Sequence, residues 1–137
     1  MTDPTIDLNP LERSLARLRE GWARYHSDLS DQQIRDGLIQ RFEFTYELSH
    51  RVLKRHLQLS SPDPELFDRI SFQDLIRLGN ERGLLIGDWP AWRRYREMRS
   101  RSSHSYEERV ALQVVECIPD FIAEVAELLE RLQRAAR

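Results

Sequence analysis

The stretch DQQIRDGLIQRFEFTYELSHRVLKRHL, residues 31–57, contains no proline and a single glycine, Gly37. Apolar and small side chains recur in it at helical spacing. Leu38, Phe42, Thr45, Ser49 and Val52 form one row, and Ile39, Phe42, Tyr46 and Leu53 form a neighbouring one. An uninterrupted helix of this length spans roughly 40 Å. Two adjacent apolar rows make its buried face wide, which suits a helix at the centre of a bundle.

The rest of the chain supplies the helices that would surround it. LERSLARLREGWARY follows Asn9 and Pro10, with Asn9 as the expected cap and Leu11, Leu15, Leu18 and Trp22 on one stripe. Ser30, with Gln33 three residues later, reads as the cap of the central helix. Two prolines mark a long connection after Leu59. Ser71 and Asp74 then open a shorter helix that Gly83 is placed to end. Asp88 reads as the cap of WPAWRRYREMR. Ser105 and Glu108 form a capping-box pair at the start of the last helix, which Pro119 should kink without ending. No window alternates as a strand does. The expected fold is all-α, an antiparallel four- to five-helix up-and-down bundle with three long helices and two short ones. Residues 10–137 form one domain, and residues 1–9 are expected to be disordered.

Composition narrows the functions open to such a bundle. Of 137 residues, 40% are apolar and 32% charged, as in a soluble globular chain, and the net charge of −2 means that any basic surface must be local. Cys117 is the sole cysteine, so neither an intrachain disulfide nor a cysteine zinc site can form. The histidines do not sit at metal-ligand spacings with carboxylates, and no glycine-rich phosphate loop is present. No metal or cofactor is expected. No window approaches the ~20 apolar residues of a membrane span, and the N-terminus lacks a signal pattern, so a cytoplasmic protein is expected.

One segment departs from this plain description. In YREMRSRSSHSYEER, residues 95–109, arginines crowd around a helix boundary: Arg93, Arg94, Arg96, Arg99 and Arg101 face only Glu97 nearby. Such a corner either binds phosphate or is a solvated face whose arginines pair with acids elsewhere. Arg99 lies near the end of one expected helix, and His104 just before the cap of the next. Their side chains can converge where the amides at a helix N-terminus favour an anion. Local positive charge should disfavour protonation of His104. An arginine and a neutral imidazole at one phosphate suit transesterification of RNA, the imidazole taking the 2′-OH proton and the arginine stabilising the developing charge. Arg51 and His56 repeat the spacing inside the central helix, where they point about 140° apart and should be inert.

The central helix, RDGLIQRFEFTYELSHRVLKRHL, resembles the signature of the nucleotidyltransferase substrate-binding protein family of the HEPN superfamily. The resemblance continues through SFQDLIRLGNERGLL, MRSRSSHSY and CIPDFIAEV. It implies a homodimer in which two R-x4-H motifs build one composite site, a metal-independent ribonuclease acting as a toxin on tRNA or mRNA. It also implies a minimal nucleotidyltransferase antitoxin that silences the toxin by adenylylating a tyrosine. Carried onto this chain, Arg99 and His104 would be catalytic and Tyr106 the modified residue. Ser100, Arg101, Ser103, Arg96 and Glu43 would support the site or bind RNA phosphate. Ser100 departs from the family pattern, which has Asn, Asp or His directly after the motif arginine. Glu43, between Phe42 and Phe44, either pairs with Arg99 or a neighbouring arginine or lies exposed on the polar side. Phe42, Phe44, Tyr46 and Leu48 are expected to serve the core or a dimer interface. The alternative to the toxin is a non-catalytic subunit that presents a tyrosine or a substrate to a nucleotidyltransferase.

Overall fold

The structure, a computed structural model, describes residues 6–136, and all its regular elements are helical. They are α1 (Asn9–Ser27), α2 (Gln32–Leu59), α3 (Phe72–Glu81), α4 (Trp89–Arg101) and α5 (Glu108–Ala135), with 3-10 turns at Pro64–Asp68 and Ser102–His104. The expected count of three long and two short helices is met. Side-chain pairs give the directions. Ser14 meets Thr45, and Arg41 reaches the carbonyl of Arg17, so α1 and α2 run antiparallel. Arg94 meets Asp120 and Arg101 meets Gln113, so α4 and α5 are antiparallel too. Glu43 and Glu47 of α2 both reach Arg99, which sets α4 along the central helix. The short α3 occupies the crossover from α2 to α4.

α2 carries ten buried residues, including every member of its two predicted rows. Phe42 of α2 and Phe121 of α5 are both fully buried and meet edge to face with ring centroids 5.0 Å apart; Tyr95 and Trp92 of α4 pack around Phe121. Such contacts add about 0.5–1.5 kcal/mol each to what burial provides. Cys117 is fully buried, and burial pushes its thiol up to about 12. α5 continues through Pro119, as expected.

Several caps differ from expectation. α1 begins at Asn9 itself, preceded by Leu8, and the Asp7 carboxylate accepts the Asn9 N–H at 3.0 Å. Ser30 does not cap α2: Asp31 does, its carboxylate accepting the N–H groups of Gln33 and Ile34. An ionised carboxylate is the stronger acceptor and adds favourable charge at a helix start, while the Ser30 hydroxyl donates to Asp28 instead. Ser71 caps α3 as read. Gly83 ends α3 in the left-handed region at φ 71°, with the Leu84 and Gly83 N–H groups reaching back to the carbonyls of Gly79 and Asn80. Of residues 1–9, expected to be disordered, 1–5 lie outside the described residues, whereas Ile6 and Leu8 pack against the core.

One buried acid lies away from the arginine corner. Glu124 of α5 is 2% exposed and accepts the N–H groups of Ile86 and Gly87 at 3.0 and 2.8 Å, pinning the loop between α3 and α4. A side chain at position 87 would overlap the Glu124 carboxylate, so glycine is required there. Burial raises the pKa of Glu124 despite these two bonds.

Candidate active site at the α4–α5 corner

Arg99 sits on the last turn of α4, on the flank facing α2. Its Nη1 donates to Glu43 Oε2 at 3.0 Å and its Nε to Glu47 Oε1 at 3.1 Å. Glu43 and Glu47 are one turn apart on α2, so the guanidinium is gripped at two points by a rigid helix. Ser102 completes the grip. It is 4% exposed, and its hydroxyl lies 2.6 Å from Glu43 Oε2, 2.6 Å from the Arg99 carbonyl and 3.3 Å from Arg99 Nη1. The Nη2 edge of Arg99 has no partner among the described residues. Of the two readings left open for Glu43, pairing with Arg99 is the one found.

After Arg101 the helix tightens into the 3-10 turn Ser102–His104, and α5 begins only at Glu108. This corrects the capping box expected at Ser105 and Glu108. The Ser105 N–H bonds the Ser102 carbonyl, the Glu107 N–H bonds the His104 carbonyl, and Glu107 precedes α5 without a side-chain cap. The turn uses the Ser105 and Glu107 amides, and α5 starts four residues after His104. Arg35, 6% exposed at the start of α2, holds the new helix in place through Glu108 at 3.2 Å.

His104 is exposed. Its Nδ1 lies 3.4 Å from the hydroxyl of Tyr106, whose side chain is 79% exposed. Ser103 is exposed and its hydroxyl donates to the Ser100 carbonyl, while Ser100 is exposed and its side chain makes no hydrogen bond among the described residues. Arg101 donates to Gln113 at 2.6 Å and stands 3.9 Å from Glu97. Arg94 pairs with Asp120. The corner is therefore far less positive than its sequence suggests, because acids of α2 and α5 reach its arginines. Arg93 and Arg96 alone on α4 have no acidic partner among the described residues, and the Arg96 guanidinium lies over the Phe72 ring, 5.1 Å from its centroid.

Sequence reasoning brought together Arg99, His104, Tyr106 and Glu43 but passed over two residues that hold the site. Glu47 was signalled by its place one turn after Glu43. Ser102 carried no such signal, because its burial depends on how the end of α4 meets α2.

Comparisons with known proteins bear on the family and the fold. The family model described as nucleotidyltransferase substrate binding protein like matches residues 6–134. The chain belongs to this family. A curated relative from Haemophilus influenzae, named "Probable ribonuclease HepT", is 34% identical over 142 residues, covering 98% of this chain and 96% of that protein. A solved structure from Haemophilus influenzae, described as the fold of a substrate binding domain of a nucleotidyltransferase, superposes with a TM-score of 0.86 at 32% identity, covering 93% of this chain and 99% of that one. A crystal structure from Thermus thermophilus superposes with a TM-score of 0.68 at 31% identity, covering 89% of this chain and 98% of that one. The family's all-α fold is thus this chain's fold. None of its described helices is long and apolar enough to cross a membrane.

Proposed function

We propose that the chain is the toxin of a toxin–antitoxin pair, a ribonuclease that cleaves RNA by 2′-OH transesterification without a metal ion. The observation that carries this reading is the setting of the corner: Arg99, in the last turn of α4, is gripped by Glu43 and Glu47, and His104 ends the 3-10 turn that continues α4, just before the chain leaves the helix for α5. Arg99 is anchored through Nε and Nη1, which leaves Nη2 to meet a phosphate oxygen and the negative charge that builds on it. His104 is exposed and so open to a substrate. Its imidazole takes the proton from the 2′-OH as that oxygen attacks the adjacent phosphorus. The P–O5′ bond breaks and the departing O5′ takes a proton from water, leaving a 2′,3′-cyclic phosphate and a 5′-hydroxyl end, and the imidazolium returns its proton to solvent. Two copies would bring two such corners together, and Phe44, 56% exposed on the turn of α2 that bears Glu43, offers apolar surface for that dimer.

The name of the Haemophilus relative supports the nuclease reading. The test is expression of the chain alone. It should arrest growth and yield cyclic-phosphate ends, and His104→Ala should remove both effects while the protein stays folded. Equal behaviour of the two proteins would overturn the proposal.

A second reading is supported by the exposure of Tyr106: this chain is the substrate of a partner nucleotidyltransferase. The two readings are compatible. AMP joined to the Tyr106 hydroxyl would add bulk and negative charge 3.4 Å from the His104 ring and silence it. Mass spectrometry after co-expression should place the added mass on Tyr106, and modification elsewhere would exclude this route.

A further inference from the structure

Beyond the corner, the exposed side of α4 is built unlike the rest of the bundle surface. Trp89, Arg93, Arg96 and Ser100 recur at helical spacing and share one face, which leads over roughly 15 Å to the turn that bears Arg99. Trp89 is half-buried and meets Phe72 of α3 edge to face at 5.7 Å. Phe72 in turn carries the Arg96 guanidinium on its ring. That stacking orders Arg96, which stays exposed. Arg94, Arg99 and Arg101 each have an acid within 4 Å, and Arg93 and Arg96 have none among the described residues. On the neighbouring flank of α2, His50 packs its ring edge to face on Phe72 at 5.0 Å. Burial lowers the pKa of His50, with Lys54 and Arg96 acting in the same direction against Glu47.

Unpaired cations beside aromatic rings, in line with a phosphate-directed arginine, have the composition of a single-strand nucleic-acid platform. The cations track the backbone and a ring stacks on a base. We infer that the α4 stripe formed by Trp89, Arg93 and Arg96 is a subsite for single-stranded RNA. It binds nucleotides flanking the scissile bond, a base stacking on Trp89 and phosphates meeting Arg93 and Arg96. This rests on the ribonuclease reading and adds where the substrate lies. Paired RNA would not fit this use, since its bases present no open faces.

The experiment measures binding of a short labelled single-stranded RNA to the full-length His104→Ala protein across a salt series, together with cleavage by chains that retain His104. Arg96→Gln should weaken binding about tenfold and reduce the slope of log affinity against log salt by about 0.7, the loss of one phosphate contact on a single strand. Trp89→Ala should weaken binding by a similar factor, about tenfold, with the salt slope unchanged, since stacking releases no counterion. In chains that retain His104, both changes should raise KM more than they lower kcat. The exposed Arg96 variant keeps the test sound if Trp89→Ala perturbs the fold.

Unchanged RNA affinity and salt slope in Arg96→Gln, with cleavage by the wild-type chain intact, would overturn the subsite and leave the ribonuclease reading standing. Absence of both binding and cleavage by the wild type would remove the two together. Normal RNA binding by the stripe variants, with loss of co-purification with the nucleotidyltransferase, would assign the surface to a protein partner and also overturn the proposal.

Discussion

Arg51–His56 and Arg99–His104 share one spacing and have opposite settings. Arg51 is exposed in mid-α2 and pairs with no acid among the described residues. His56 is half-buried beside the apolar hollow of about 200 Å³ lined by Ile6, Leu8, Leu59 and Leu132, and burial, with Arg82 nearby, lowers its pKa. In the second pair the burial is reversed. The arginine is half-buried and held by two carboxylates, and the histidine is exposed on a turn. The lesson is that spacing alone carries little chemistry. What separates the pairs is the 3-10 turn at Ser102–His104, together with acids placed one turn apart on a neighbouring helix.

The largest expected effect breaks the symmetry between the histidines. His104→Ala should reduce cleavage by about 100-fold or more, the usual contribution of a general base, and His56→Ala should leave it unchanged. Release of cyclic-phosphate ends from labelled RNA measures both, and equal losses would void the comparison. Next come the arginines. A lysine at position 99 cannot hold Glu43 and Glu47 and still present a free edge to phosphate. Arg99→Lys should therefore lower kcat by about tenfold to 100-fold, and Arg51→Lys should be silent in the same assay.

A smaller effect tests the clamp itself. Ser102→Ala should cost about 1 kcal/mol in urea unfolding, the ordinary value of a hydrogen bond. Glu43→Gln should lower kcat more than it raises KM, because it loosens Arg99 without touching RNA. Full activity in Glu43→Gln would show that the clamp is only structural.

The smallest effect is one of pH. The folded pKa of His56 lies below its ordinary 6.5, so between those two values the unfolded chain binds more protons than the folded one. Its contribution to stability is complete above 6.5 and declines as pH falls below it. Thermal melts of His56→Gln should show a shallower loss on the acid side than the wild type. Glu124 acts in the opposite sense, its raised pKa favouring the fold at lower pH.

Much of the fold was legible in the sequence because wide apolar rows at helical spacing admit few alternatives. The two rows of α2 were read residue by residue and are buried. The starts of helices were less legible. Asn9, Ser30 and Ser105 are each acceptable caps in isolation, but the neighbouring Asp7 and Asp31 offer stronger acceptors, and the turn after Arg101 delays the start of α5 to Glu108, beyond the reach of Ser105 as its cap. At the site, Glu43 was visible as an acid between two phenylalanines. Ser102 was hidden among four serines whose burial depends on how α4 meets α2, a tertiary fact with no local signature. Of the two readings left open for the arginine corner, pairing with acids elsewhere holds for Arg94 and Arg99, but which acids could not be read locally: Glu47 and Asp120 are remote in sequence and close in space.

Cys117 has a practical consequence. The chain's only thiol is sealed in the core, and burial pushes its pKa to about 12, so it stays protonated and out of reach of alkylating reagents near neutral pH. A cysteine placed at the exposed Ser103 would therefore be the only reactive sulfur in the folded chain, with no need to remove the native one. A single spin label or fluorophore there would test whether two copies bring their corners together, and whether added RNA changes the distance between the labels.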